Sequence, residues 1–428
     1  MRVNIITLGC SKNTVDSENL AGALEREGHK VVFDQMLGRH DAVIINTCGF
    51  IGDAKEESID TILQAVRWKS RSTKRKVVVC GCLVERYKDD LRKEISEVDA
   101  WYGVHEWDEI AKVFGSEQDS RKVRPLSTPS HYAYLKIAEG CNRSCSYCAI
   151  PLIRGAHHSR PIDEIVEEAK ELVAKGVKEL VVISQDTTYY GFDLYKKRML
   201  GPLLDRLATE SGAEWIRLHY TYPSSFPIDA IEAIANHDNI CNYIDIPLQH
   251  INSRILGSMQ RGIDREGTLR LLARFREMLP DAAIRTTLIV GYPGESEEDF
   301  EELKEFVRQA RFDRMGCFAY SPEEGTPAER LGDPVPEEEK ERRVAELMAI
   351  QEAISLEKNQ ARVGQTYRCI VDREEDDYLV CRSQYDSPEV DDEVLVSLSA
   401  FSAVPTPGSF VELRITDATE HDLLAIPL

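Results

Sequence analysis

The stretch Gly140-Cys141-Asn142-Arg143-Ser144-Cys145-Ser146-Tyr147-Cys148 sets three cysteines at C-x3-C-x2-C spacing, with a tyrosine just before the last. Three thiolates in so short a loop can hold three corners of a cubane iron–sulfur cluster, and the fourth iron is then left without a protein ligand. An iron with an open position can bind and polarise a substrate, as an open catalytic zinc does. Zinc sites instead read as paired C-x2-C motifs or carry a spaced histidine pair, whereas His157 and His158 are adjacent. A structural zinc knuckle or plainly buried cysteines are the competing readings, and the spacing disfavours both.

A second group of cysteines is scattered in sequence. Cys10, Cys48 and Cys82 each follow a short apolar run, Val3–Leu8, Ala42–Asn46 and Val77–Val79. Helical patterns at Val15–Glu27, stopped by Gly28, and at Ala54–Trp68 lie between these runs, and Val31–Phe33 is a further short strand. This rhythm implies a parallel sheet with helices on its faces. All carboxyl ends of such a sheet lie on one edge, where ligands bind, so residues far apart in sequence converge there. Gly9, Gly49 and Gly81 stand beside the three cysteines and allow a close backbone approach to a metal. The pattern suggests a second three-thiolate site; the competing reading is that small, often buried cysteines ended up there by chance. Cys80, the last strand residue, reads as packing, and Cys82 as the ligand in the turn.

The elements that must position the first motif come next. Polar residues from Arg121 to Thr128, with Pro125 and then Pro129, mark a linker. Candidate strands follow at Tyr132–Ile137, Leu180–Ser184, Trp215–Tyr220, Tyr243–Ile246, Ile284–Val290 and Met315–Tyr320, with amphipathic stretches such as Ile165–Ala174, Leu269–Met278 and Phe300–Val307 between them. Six βα units imply a curved parallel sheet, either doubly wound or an incomplete barrel. The C-x3-C-x2-C loop follows the first strand, where a βα-barrel keeps its active site. The same edge collects Ser184–Thr188, Tyr220–Pro223, Pro247–His250 and Gly291–Glu295. A polar residue after a strand is more often a satisfied turn residue, and His250 reads as a structural histidine more readily than as a catalytic one. No G-x-G-x-x-G or P-loop is present.

Pro334-Val335-Pro336 precedes a charged helix at Glu337–Gln360, with Val344, Leu347, Met348 and Ile354 on its packed side. Short β runs at Thr366–Val371, Tyr378–Cys381, Glu393–Leu398, Phe410–Ile415 and Asp422–Ala425 suggest a small antiparallel β-barrel. The domains therefore read as 1–125, an N-terminal parallel α/β domain; 130–335, a central partial βα-barrel; 336–360, a linker helix; and 361–428, the small barrel.

Composition bounds the function. The 428 residues carry a net charge of −21, and no apolar run approaches a membrane span or a signal peptide, which points to the cytoplasm. Eleven cysteines, an odd number without an export signal, are reduced thiols or cluster ligands more readily than disulfides. Residues 361–428 hold 14 acidic residues against five arginines and no lysine, which repels a phosphate backbone and attracts a basic protein. A merely solvated acidic face is the plainer alternative.

The C-x3-C-x2-C stretch resembles the signature of the radical S-adenosylmethionine (SAM) superfamily. Together with Gly9-Cys10-Ser11-Lys12-Asn13, Asn46-Thr47-Cys48-Gly49-Phe50 and Gly81-Cys82-Leu83 it looks like the methylthiotransferases, radical-SAM enzymes with two [4Fe–4S] clusters and a terminal TRAM-type domain. The resemblance maps the auxiliary cluster onto Cys10, Cys48 and Cys82, the radical-SAM cluster onto Cys141, Cys145 and Cys148, and Tyr147 near the adenine. Ser11 stands where many relatives carry proline, a position that is no ligand. SAM needs donors for its carboxylate, acceptors for its ribose and an apolar wall for its adenine; Gln185, Thr187, Gln249 and Arg285 are candidates for the polar contacts, and Val290 for the wall.

Tyr134–Cys141, Tyr243–His250 and Met315–Pro322 resemble the RimO-type branch, which modifies an aspartate of the twelfth protein of the small ribosomal subunit. That resemblance implies hydrogen abstraction from the aspartate β-carbon by a SAM-derived radical and capture of a methylthio group from the auxiliary cluster. It also implies an external electron donor. A general base would not serve, because that C–H is scarcely acidic. A tRNA adenosine methylthiotransferase and a two-cluster electron carrier are the alternatives; the acidic terminal domain speaks against the first, and three rather than four cysteines per group against the second. Cys241, Cys317, Cys369 and Cys381 have no partners at ligand spacing and read as packing residues.

Overall fold

The computed structural model describes residues 1–36, 38–115 and 124–428; residues 121–123 of the expected linker lie outside the described residues. The amino-terminal sheet is built from β1 (Arg2–Thr7), β2 (Lys30–Phe33), β3 (Ala42–Thr47), β4 (Lys76–Gly81) and β5 (Ala100–Tyr102). All pairings are parallel and the order is β2-β1-β3-β4-β5. Helices α1 (Ser11–Arg26), α2 (Gly52–Lys69), α3 (Cys82–Glu94) and α4 (Trp107–Val113) cover it. Val3, Ile5, Ile44 and Val78 enter one core, and Val43, Ile45, Val77 and Val79 the other, so both faces are buried. The strand order reverses between β1 and β3, and in open α/β sheets the ligand crevice lies at that switch point.

The central domain has the six expected strands: β6 (Tyr132–Lys136), β7 (Glu179–Ile183), β8 (Trp215–Leu218), β9 (Tyr243–Asp245), β10 (Ala283–Val290) and β11 (Arg314–Ala319). They form two parallel three-stranded sheets, β6-β7-β8 and β9-β10-β11, joined loosely by a parallel bridge between Ile216 and Ile240. Neighbours follow chain order, so the sheet is a partial barrel and not doubly wound. Helices pack outside on a continuous apolar core. Along β10, Ile284, Thr286, Leu288 and Val290 are buried while Arg285, Thr287 and Ile289 are half-buried. That alternation separates the helix-facing side from the lumen.

Helix Glu337–Gln360 lies against the central domain, with Leu347 and Ile354 in its core and Val344 and Met348 packed at the edge. The terminal barrel comprises β12 (Thr366–Glu375), β13 (Tyr378–Ser383), β14 (Glu393–Ser397), β15 (Phe410–Ala418) and β16 (Asp422–Pro427), closed in the order β12-β13-β14-β16-β15. The expectation of an antiparallel barrel needs one correction. β14 pairs with β16 in parallel, because the chain crosses from β14 to β15 before returning on β16.

The two outer domains seal the two ends of the partial barrel. At the amino ends of the central strands, Glu389 accepts hydrogen bonds from Tyr132 and Tyr134 (2.5 and 3.0 Å), Asp391 from Tyr243 (2.5 Å), and Asp386 pairs with Arg314 (2.5 Å). Glu179, fully buried, pairs with both Arg217 and Arg382 at 2.7 Å. At the carboxyl ends the first turns of α1 close the mouth. Among the described residues no helix is long and apolar enough to cross a membrane.

Candidate active site

Cys10, Cys48 and Cys82 follow β1, β3 and β4, which are adjacent strands of one sheet. Gly9 adopts φ +91°, and a Cβ there would fall 2.9 Å from Cys48 Sγ, so this backbone runs against the second thiol. Gly49 in turn backs onto the Cys82–Leu83 backbone. Asn13 ties the loops together: its side-chain amide donates to the carbonyl oxygens of Leu8 and Thr47 (2.7 and 3.2 Å). Cys10 immediately precedes α1 and Cys82 opens α3, and a helix amino terminus favours a thiolate. The protein packed around Cys10 raises its thiol, but the charges of Lys12 and Arg154 and backbone N–H groups outweigh this and hold it below its ordinary value. Burial pushes Cys48 upward and Cys82 up to about 11, and the three thiols feel one another's charge. Cys80 is packed in the core with its Sγ 3.4 Å from the Ile45 carbonyl oxygen, as its strand position implied.

Cys141, Cys145 and Cys148 lie in the loop after β6. Gly140 has φ +76°, and a Cβ would collide with the Ala156 carbonyl oxygen, so the entry to this loop requires glycine. Burial raises Cys141 to about 11 and Cys148 to about 12. Arg261 Nη1 and Tyr222 Oη lie 3.3 and 3.4 Å from Cys145 Sγ. Tyr147 is packed with Ile289 against Ile255, Met259 and Tyr292, and its hydroxyl is 3.3 Å from Arg261.

Arg154, six residues after Cys148, reaches across the domain boundary to the first triplet. Its Nη1 donates to Asp16 (2.9 Å) and Glu139 (3.0 Å), and its Nη2 to Asn13 Oδ1 (2.5 Å) and toward Cys82 Sγ (3.6 Å). Lys136 pairs with the same two carboxylates, Asp16 and Glu139. Glu139 is half-buried; desolvation raises its carboxyl, but Lys136 and Arg154 hold it far below the usual range. A second connection is the segment after β8: Ser11 Oγ is 3.4 Å from Tyr220 Oη, and Tyr222 touches Cys145.

The remaining expected residues fall into two groups. Gln249 has φ +75° and a buried, unpartnered Oε1, a strained and unsatisfied side chain of the kind that marks a binding site. Gln185 donates to Glu139 at 2.6 Å and so joins the bridge between the triplets. Three others are placed elsewhere. The Thr187 hydroxyl is buried and donates to the carbonyl oxygens of His219 and Tyr220, which leaves it no free donor. Arg285 is the third residue of β10, deep in the lumen, pairing with Asp245 (3.0 Å) and facing Asp391 (3.4 Å) of the terminal domain. Val290 is buried on the helix-facing side; Ile289, one residue earlier, is half-buried on the other side and packs against the same cluster as Tyr147. His250 is fully buried, its Nδ1 accepting from Asn252 N at 2.9 Å, which is the structural reading. Arg154, Arg261, Glu139 and Tyr222 were not singled out. The signal available was a basic residue six positions after Cys148 and a carboxylate two before Cys141.

The donor sets fit [4Fe–4S] clusters with an open corner: three thiols each, with cations beside them to offset an anionic cluster. Among the described residues no group of His, Cys, Asp or Glu closes around a single metal ion.

A partial βα-barrel with a three-cysteine loop after its first strand defines a radical-SAM enzyme, and the model of the Radical SAM superfamily matches residues 135–307. Residues 2–103 match Uncharacterized protein family UPF0004 and residues 363–427 the TRAM domain. The ribosomal protein uS12 methylthiotransferase RimO of Flavobacterium psychrophilum is 53% identical over 100% of this chain and 98% of its own length. Those of Bacteroides thetaiotaomicron and Cytophaga hutchinsonii are 51% and 50% identical over 99% of this chain, covering 98% and 97% of their own. The chain belongs to this family, the ribosomal protein uS12 methylthiotransferases, whose cofactors are SAM and [4Fe–4S] clusters. Among solved structures, the radical SAM methyltransferase TsrM from Kitasatospora setae, with cobalamin and a [4Fe–4S] cluster bound, matches with a TM-score of 0.55 at 15% identity over 76% of each chain. The cobalamin-dependent SAM radical enzyme OxsB gives 0.53 at 11% identity over 82% of this chain and 56% of that one. Both likenesses concern the fold alone.

Proposed function

We propose that this chain adds a methylthio group to the β-carbon of an aspartate in ribosomal protein uS12, with Cys10, Cys48 and Cys82 holding one [4Fe–4S] cluster and Cys141, Cys145 and Cys148 the other. The observation that carries this is the facing of two three-thiol sites across one domain boundary, joined through Arg154 and Tyr220–Tyr222. When bound, the clusters and SAM supply a hydrogen-abstracting radical, a sulfur and a methyl group, the electron coming from an external donor.

The chain's own residues bind, orient and shield. Tyr147 and Ile289 offer the apolar wall for the adenine, and Gln249 the free acceptor for a ribose or amino group. Arg261 donates toward Cys145 and stabilises negative charge on its sulfur, as Arg154 does at Cys82. The outer domains close both ends of the barrel and exclude water from a radical that would otherwise be quenched. The exposed Glu374, Glu375, Asp376 and Asp377 at the β12–β13 turn complement a lysine- and arginine-rich ribosomal protein. Incubating anaerobically reconstituted enzyme with purified small ribosomal subunits, and separately with tRNA, then analysing both by mass spectrometry, tests the reading. A methylthio gain on uS12 is expected; a gain on tRNA alone overturns it.

A further inference from the structure

Lys12 has an unusual environment for a lysine. It lies in the first turn of α1, two residues after Cys10, and is only 5% exposed. It makes no side-chain hydrogen bond or ion pair with any described residue. What it does contact is the face of Tyr220, with Nζ 2.8 Å from the ring centroid. The other cations around this mouth are engaged. Lys136 and Arg154 pair with Asp16 and Glu139, Arg143 with Asp186, Arg285 with Asp245, and Arg261 is turned toward Cys145 and the Pro247 carbonyl oxygen. A desolvated ammonium that lies on a ring face, with the Cys10 thiol two residues away and no carboxylate paired to it, gains when an anion arrives. The amino terminus of the sixteen-residue α1 adds its own partial positive charge at the same point.

The location narrows the anion. Tyr220, which carries Lys12, lies two residues past the end of β8 with φ +57°, a strained conformation for a tyrosine. Two residues on, Tyr222 touches Cys145 of the second triplet, while Ser11 and Lys12 adjoin Cys10 of the first. Lys12 therefore stands between the two cysteine groups, at the mouth through which a substrate side chain would enter.

Resting on the function proposed above, we infer that Lys12 is a specificity-determining residue that binds the carboxylate of the target aspartate and so holds its β-carbon between the two triplets. An asparagine in the same place offers no charge to the ammonium, and a nucleobase offers none either.

The test uses reconstituted holoenzyme and purified fluorescent uS12, with the modified aspartate first located by mass spectrometry and then changed to asparagine. The wild-type enzyme is expected to bind the aspartate form about tenfold or more tightly than the asparagine form, by anisotropy. Lys12→Met and Lys12→Gln are expected to bind both forms equally weakly, and Lys12→Arg to keep the preference. Retention of the aspartate preference in both neutral variants overturns the inference while leaving the function standing. A wild-type enzyme that leaves uS12 unmodified overturns the function, and the inference with it.

Discussion

At the scale of single residues the site depends on Arg154 as much as on its cysteines. One guanidinium satisfies two carboxylates and an amide and points a fourth N–H at a thiol, and it does so while almost fully buried. Removing it leaves Asp16 and Glu139 to share the single cation Lys136. Arg154→Met is expected to lower stability by about 3–5 kcal/mol, the usual cost of orphaning buried charge, measured by urea unfolding of the apoprotein. Arg154→Lys is expected to recover only part of this, since an ammonium cannot reproduce the planar fork. An unchanged urea midpoint in Arg154→Met would contradict this role. The cysteines were legible because their chemistry shows in spacing, or in position at the end of a strand. Arg154 was not, because its role exists only once α1 and the loop after Cys148 have been brought together from positions 138 residues apart.

Elements show where sequence patterns run out. All six central strands and the main helices of the first domain were readable from apolar periodicity. The three-residue β5 and helix α3 were passed over, the first because it is too short to show a period, the second because its apolar residues cluster at Cys82-Leu83-Val84 before a charged stretch. The choice of Val290 for the proposed adenine wall, where the structure turns Ile289 to the other face, has a related reason. Residues 286 to 290 of β10 read Thr-Thr-Leu-Ile-Val, which shows no alternation in composition although the burial alternates. A one-residue shift in a strand turns a side chain to the opposite face. The two faces give separable outcomes. Ile289→Ala is expected to raise the Kd for SAM several-fold in the reconstituted enzyme with little change in stability. Val290→Ala is expected to cost about 2 kcal/mol of stability and to leave the SAM Kd near wild type. Calorimetric binding and chemical denaturation of both variants check the pair, and the reverse pattern would restore Val290 to the wall.

The whole molecule is a partial barrel stoppered at both ends. The lower stopper is ionic: Glu179 holds Arg217 of the central domain and Arg382 of the terminal one, all essentially inaccessible. Glu179→Ala is expected to destabilise the protein by about 3–5 kcal/mol, read by urea unfolding, since two buried guanidinium groups lose their shared partner. Two buried imidazoles add a pH dependence. Burial holds His219 down to about 4 and His250 down to about 3, so the folded protein keeps both neutral. In the unfolded chain each titrates near 6.5. The unfolded state therefore binds more protons below that value, and the stability these residues contribute is complete above about pH 6.5 and declines as the pH falls toward 4 and then 3. Urea midpoints measured against pH should show this acid limb, and His250→Gln should make it shallower.

The proposed function requires two separate three-cysteine metal sites, and counting iron tests that directly. Anaerobically reconstituted Cys10→Ala and Cys141→Ala should each hold about half the iron of the wild-type protein, because each change removes a ligand from one cluster only. Full iron in either variant, or complete loss in both, would contradict two independent clusters.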